Sequence, residues 1–139
     1  LPLATGTDFS QKIMTAPRWY PHIPDGVAIC DADELAFPGD SMDLVVLHHT
    51  ADFSPYPHQV IREAARVLKP GGRVAISVPY RETIVEHLCV HCNRLTPGNA
   101  HLHSFDRAKM DGLCREGGLK WCRHSSWPTN YLKWPVFLS

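Results

Sequence analysis

The apolar residues of this chain fall into short unbroken runs set between polar and proline-rich segments. Val27, Ala28, Ile29 and Cys30 form one run that stops at Asp31, which predicts a buried strand followed by a loop. Residues 43–47 (Asp43, Leu44, Val45, Val46, Leu47) form a second. Its lack of alternation predicts a strand covered on both faces, as in a parallel sheet. Ser54-Pro55-Tyr56-Pro57 supplies helix-start chemistry, because a first-turn proline gives up an N–H that has no helical partner. Val60, Ile61, Ala64, Val67 and Leu68 then recur at helical spacing, with Arg62, Glu63, Arg66 and Lys69 mostly off that face. Pro70-Gly71-Gly72 stops the helix, and Val74, Ala75, Ile76, Ser77 and Val78 predict the next strand. Strand, helix and strand in this order make a βαβ unit, whose crossover is right-handed in nearly all known cases.

The flanks are patterned differently. Residues 1–24 show no sustained periodicity; residues 10–16 predict at most a short helix, stopped by Pro17. Beyond Arg81 the character changes, and Cys, His, Asn, Pro and Gly dominate residues 89–103, an ordered loop or small insertion. Ser104 is placed to cap a helix with Phe105, Ala108, Leu113 and Met110 on its apolar side, ended by Gly117-Gly118. Residues 119–122 predict a strand. The tail carries Trp127, Tyr131, Trp134 and Phe137, so it is expected to pack on the domain or on a partner. No internal repeat interrupts this order, and the 139 residues read as one domain with a Cys/His-rich insertion at 87–103.

Composition narrows the function classes. The 14 basic and 14 acidic side chains cancel and form no block of like charge, so nothing points to nucleic acid or an anionic membrane. The apolar runs are far too short to span a bilayer, and no signal-peptide pattern is present. Five cysteines, an odd count, argue against a closed disulfide framework and for a reducing, cytoplasmic setting.

In an open parallel sheet, ligands lie outside the carboxyl ends of the strands. Here those ends carry Asp31-Ala32, His48-His49-Thr50 and Pro79-Tyr80. The wording Asp31-Ala32-Asp33-Glu34-Leu35-Ala36-Phe37-Pro38, followed by Arg66-Val67-Leu68-Lys69-Pro70-Gly71-Gly72, resembles the second half of class I S-adenosylmethionine-dependent methyltransferases, of the methyltransferase type 11 kind. The resemblance is best over residues 27–78 and weaker over 101–119. It implies an α/β, Rossmann-like, mostly parallel sheet. It also implies that Asp31 binds the adenine amino group, that the backbone N–H of Ala32 reads the ring nitrogen, and that Leu47, His48 and His49 lie along the methionine end. The implied activity is S-adenosylmethionine-dependent methyl transfer to a small-molecule or protein acceptor.

The front departs from the family. Its members open with acidic-x-Gly-x-Gly-x-Gly, whose glycines let backbone approach the cofactor. This chain has Leu3-Ala4-Thr5-Gly6-Thr7, with Gly6 the sole candidate and Asp8 a substitute ribose ligand. The interval from Gly6 to Asp31 is too short for the helices and strands a complete member places there, so the amino-terminal half is truncated or divergent. A half-built sheet leaves an open edge, so a homodimer or a partner chain is expected, with the tail aromatics near the contact. The rival function is a non-catalytic methyltransferase-like module that binds a protein partner.

Two further groups carry candidate chemistry. His48 and His49 either serve as a base that deprotonates an acceptor or simply line the site. Cys89-x-x-Cys92, followed after eight residues by His101-x-His103, has the residue types of a tetrahedral structural zinc shell, with His91 an alternative ligand. The other readings of that cluster are a redox pairing of Cys89 with Cys92 and two reduced cysteines in a loop. Cys114 and Cys122 read as buried small hydrophobes.

Overall fold

The βαβ unit organises the molecule. In the computed structural model, which describes residues 5–8, 26–120 and 133–134, strand β3 (Met42–His48) leads through helix α1 (Pro57–Val67) into β4 (Leu68–Ser77). The two strands are parallel, in register from Leu44 opposite Arg73 to His48 opposite Ser77. Before that segment, β1 (Thr5–Asp8) pairs in parallel with β2 (Gly26–Ile29). After it come an antiparallel hairpin, β5 (Glu86–Leu88) and β6 (Leu95–Pro97), then helix α2 (Arg107–Glu116), and finally β7 (Lys133–Trp134). β7 lies antiparallel on β4, giving the order β3-β4-β7. The fold is α/β, and its parallel pairs β1–β2 and β3–β4 carry most of the strand pairing, as the methyltransferase resemblance implies.

α1 forms where its spacing predicts. Pro57 opens it, and Pro57, Val60, Ile61, Ala64 and Val67 are its buried residues. The helix ends at Val67, before Pro70, and Leu68 is already extended. Lys69-Pro70-Gly71-Gly72 therefore belongs to a bulge within β4, where the register slips between the pairs Met42–Leu68 and Leu44–Arg73. Gly71 sits at φ +77°, a conformation a side chain would strain. Val74, Ile76 and Val78 share one core cluster with the buried face of α1 and with Phe105, Met110 and Cys114. Gly117 lets α2 come against α1: a Cβ there would lie 2.8 Å from Ile61 Cγ2.

Several expectations are corrected. β3 is not covered on both faces: Leu47 is buried, whereas Leu44 and Val46 are 52% and 63% exposed. No helix among the described residues lies over that face, so it alternates as a one-sided strand does. The cap of α2 is Asp106, whose Oδ1 accepts the Lys109 N–H at 2.9 Å; Ser104 lies too far upstream, and Ala108 is exposed. Leu119 and Lys120 form no strand. The segment 89–103, expected as an ordered loop or small insertion, holds the turn of the β5–β6 hairpin and its second strand. The backbone of Trp134 pairs with Ile76 through β7. The short helix at residues 10–16, Cys122, and Trp127, Tyr131 and Phe137 lie outside the described residues. No helix among the described residues is long and apolar enough to cross a membrane.

Candidate functional site

The carboxyl ends of β2, β3 and β4 each carry a polar loop. Asp31 follows β2, exposed, and its backbone oxygen accepts the Glu34 N–H at 3.2 Å to start a tight turn. Among the described residues its carboxylate has no hydrogen-bond partner. The loop behind it is held by α1. Glu63 Oε2 accepts the Leu35 N–H at 2.9 Å, while the Arg66 guanidinium donates to the Phe37 oxygen at 2.9 Å and to the Leu35 oxygen at 3.0 Å. Arg66 also grips both oxygens of Glu63, at 2.7 and 2.8 Å. The Arg66 hydrogen bond holds the Glu63 carboxyl below its usual value against the opposing effect of burial, and the Leu35 N–H adds to the lowering.

That shift has a pH consequence. A carboxyl whose folded value is depressed stabilises the fold in full above its ordinary value of 4.5, and the contribution is lost as pH falls through the folded value. We expect Glu63→Gln to lower the melting temperature at neutral pH and to make the loop after Asp31 more sensitive to protease. The difference from wild type should shrink as the medium is acidified below 4.5. An undiminished difference in acid would assign the effect of the substitution to something other than the charge.

The loop after β3 is more constrained. His49 donates its N–H to the Ser77 oxygen at 2.9 Å and sits at φ +49°, a left-handed conformation uncommon outside glycine and asparagine. Its Nδ1 lies 3.0 Å from Oδ2 of Asp52, a carboxylate that is completely buried. The Asp52 backbone oxygen accepts the Leu102 N–H at 2.7 Å, and this bond draws the segment around His101 onto the end of β3. His101 Nε2 is 3.4 Å from the same Asp52 Oδ2, and its Nδ1 is 2.6 Å from Glu82 Oε2. Asn99 Nδ2 donates to Glu82 Oε1, and Phe53 meets the His101 ring edge to face at 4.8 Å. His48 is exposed beside this group, its ring edge-on to His49 at 4.7 Å.

The zinc shell expected from Cys89, Cys92, His101 and His103 is not assembled. His101 is engaged by Asp52 and Glu82, and the one group of three ligand side chains converging among the described residues is His49, Asp52 and His101. His103 lies against Phe105 with its Nε2 buried and unpaired. Cys89 and Cys92 share the β5–β6 turn, closed by Cys89 N–H to the Arg94 oxygen at 2.8 Å and Asn93 N–H to the Cys89 oxygen at 2.9 Å. The Cys92 and His91 backbone N–H groups, with the Cys92 thiol, lower the pKa of the Cys89 thiol. Burial among apolar side chains pushes Cys114 up to about 12, as befits an inert core thiol.

A family model described as a methyltransferase domain matches residues 3–76, over half of the 139-residue chain. The chain belongs to this methyltransferase family. The demethylmenaquinone methyltransferase of Chlamydia trachomatis is 25% identical over 136 residues, covering 88% of this chain; the chain spans 59% of that relative's length. A chain of the complex between the Haloferax volcanii Trm112 methyltransferase activator and a methyltransferase superposes with a TM-score of 0.67 at 26% identity. That match covers 89% of this chain and 53% of the other. The YcgJ protein of Bacillus subtilis superposes with a TM-score of 0.69 at 16% identity, covering 90% of this chain and 56% of that one, a likeness of fold alone.

The residues singled out by the methyltransferase resemblance lie in different settings. Asp31, exposed and unpaired in a clamped turn, suits a ligand donor group, and Ala32 beside it packs partly on the core. Gly6 stands inside β1 opposite Val27, so the glycine lies in a strand and not in a cofactor loop. Asp8 ends that strand opposite Ile29. Leu47 is 5% exposed and belongs to the core, which leaves His48 as the exposed residue at that strand end. A shallow depression of about 260 Å³ between Lys69–Gly72 and Gly117–Lys120 lies at the amino-terminal end of β4, away from these loops. The Glu63–Arg66 clamp and the Asp52–His101–Glu82 contacts were missed from sequence. The first left a trace in the i,i+3 spacing of opposite charges; the second left none.

Proposed function

We propose that this chain binds S-adenosylmethionine through its Asp31 loop and takes part in methyl transfer to an acceptor held beside His48 and His49. The observation that supports this most is the exposed, unpartnered Asp31 carboxylate at the end of β2, ahead of a loop that Glu63 and Arg66 bind at Leu35 and Phe37. Its carboxylate is suited to accept the adenine amino group, and the Ala32 N–H the ring nitrogen. When bound, the cofactor supplies a sulfonium methyl that passes to a nucleophile, the electron pair of the broken C–S bond remaining on sulfur. The protein's share of such chemistry is chiefly positioning. At the end of β3, Asp52 faces both imidazoles and Glu82 faces that of His101, which suits this corner to take up positive charge where the acceptor must lose a proton. Calorimetric titration with S-adenosylhomocysteine should show saturable binding; no heat at millimolar ligand would sink the reading.

Assembly belongs to the same proposal. β3 is an edge of its sheet among the described residues, and Leu44 and Val46 leave one of its faces apolar and exposed. A second copy or a partner chain covering this face is supported by that exposure. Light scattering at micromolar concentration should report a dimer or larger species, converted to monomer by Val46→Lys. A monodisperse wild-type monomer would count against it.

A further inference from the structure

We propose that His49, Asp52 and His101 bind a divalent transition-metal ion at the ligand edge of the sheet, leaving an open coordination position for an oxygen atom of the acceptor. Three observations carry this. The first is convergence: His49 Nδ1, Asp52 Oδ2 and His101 Nε2 all lie within 4.8 Å of one another. The two histidine nitrogens stand 3.0 and 3.4 Å from the Asp52 oxygen. Around an ion bonded at about 2.1 Å, neighbouring ligands are about 3.0 Å apart at a right angle and about 3.4 Å apart at a tetrahedral one.

The second is proton bookkeeping. His101 Nδ1 faces Glu82 Oε2 at 2.6 Å, so in a neutral imidazole that nitrogen carries the proton. Nε2 then turns a lone pair toward Asp52 Oδ2, lone pair against lone pair. Asp52 is fully buried, its Oδ1 has no partner, and among the described residues no lysine or arginine pairs with Asp52 or Glu82. A buried carboxylate in that position is stabilised by a positive charge beside it. An ion between the three ligands supplies it and turns the facing lone pairs into coordination bonds.

The third is the outer layer. Glu82 on the far nitrogen of His101, itself held by Asn99, is the carboxylate–histidine–metal arrangement that fixes the tautomer and orients a ligating ring. Two imidazoles with one carboxylate favour zinc, iron, cobalt or nickel over magnesium or calcium. Three protein ligands leave a position free, as in sites that act on a substrate. This deepens the proposed function, on which its acceptor assignment rests. An oxygen acid bound at the open position would lose its O–H proton to water, and the oxygen, now anionic, would be the nucleophile that forms the bond to the methyl carbon.

The test uses the full chain after dialysis against a chelator. Titration with cobalt(II) should give a saturable visible absorption at one ion per chain, without thiolate charge transfer, and zinc should raise the melting temperature. His49→Gly suits the left-handed backbone there and removes a ligand, so it should fold and weaken cobalt binding at least tenfold. Glu82→Gln should weaken it roughly ten- to a hundredfold. The Cys89→Ser/Cys92→Ser double variant should bind as wild type does. No saturable cobalt signal at millimolar ion, unchanged binding in His49→Gly, or loss of binding in the cysteine double variant would each overturn the site. A pair held only by a protonated His101 predicts the first of these. S-adenosylhomocysteine titration of the metal-free protein separates the two proposals, because the Asp31 loop shares no residue with the ion site.

Discussion

Asp31→Ala should weaken S-adenosylhomocysteine binding roughly ten- to a hundredfold, corresponding to the loss of one or two hydrogen bonds at about 1–3 kcal/mol. The carboxylate is exposed and makes no internal bond among the described residues, so its removal leaves no buried group orphaned. The clamp on its loop runs from Glu63 and Arg66 to Leu35 and Phe37, not to Asp31, so the loop should keep its shape. The variant should therefore melt as wild type does, within about 0.5 kcal/mol. Calorimetry of both proteins checks the two halves together. Equal affinity in wild type and variant would remove Asp31 from the site; a large fall in stability would show that it supports the fold.

Phe105→Ala should cost about 3–5 kcal/mol in stability, the range for deleting a buried aromatic ring. That is a large share of the 5–15 kcal/mol, roughly, that holds a domain together. Phe105 is 1% exposed and belongs to the core under α1. Its backbone bridges Tyr80 and its oxygen accepts the Arg81 N–H at 2.7 Å, which ties the start of α2 to the end of β4. Lys109 Nζ lies 4.7 Å from the ring centroid and the His103 ring packs on its edge, so the cavity would reach toward the His101 segment as well. Urea denaturation should move the midpoint strongly without changing the slope. Val90→Ala, at a residue 92% exposed on the hairpin turn, is the matched control and should stay within about 0.5 kcal/mol. A Phe105→Ala loss below about 1 kcal/mol would mean that the core closes around the gap.

The βαβ unit was legible from the chain because everything that specifies it is local. The run ending at Leu47, the helical spacing from Val60 to Leu68 and the run over residues 74–78 each act within a few residues, and the structure forms the three elements there, with Leu68 moved from the helix into β4. The shortened front was legible as well, by simple length: the interval from Gly6 to Asp31 cannot hold the missing elements. Where local signals compete, the reading slipped. Ser104 and Asp106 are both competent caps, and packing of Phe105 into the core decided for Asp106.

The candidate site is divided the same way. Asp31 and the His48-His49 pair are candidates from sequence because they stand where apolar runs end, and in a parallel sheet that position faces the ligand edge. Asp52, Glu82 and the true surroundings of His101 were not found. Their convergence depends on the Leu102–Asp52 backbone bond and the Tyr80–Phe105 bridge, which join segments far apart in the chain and have no signature in the residues they join. The spacing of Cys89, Cys92, His101 and His103 did carry information, but about a turn: a Cys-x-x-Cys hairpin closes on itself, while His101 answers to two carboxylates elsewhere. Sequence alone determined β2, β3, the crossover helix and β4, since those follow from short-range periodicity, whereas β1, β7 and the β5–β6 hairpin left no pattern in the chain. Tertiary structure alone decided which charges face one another, because a buried carboxylate such as Asp52 acquires its partners only when distant loops are brought together by core packing.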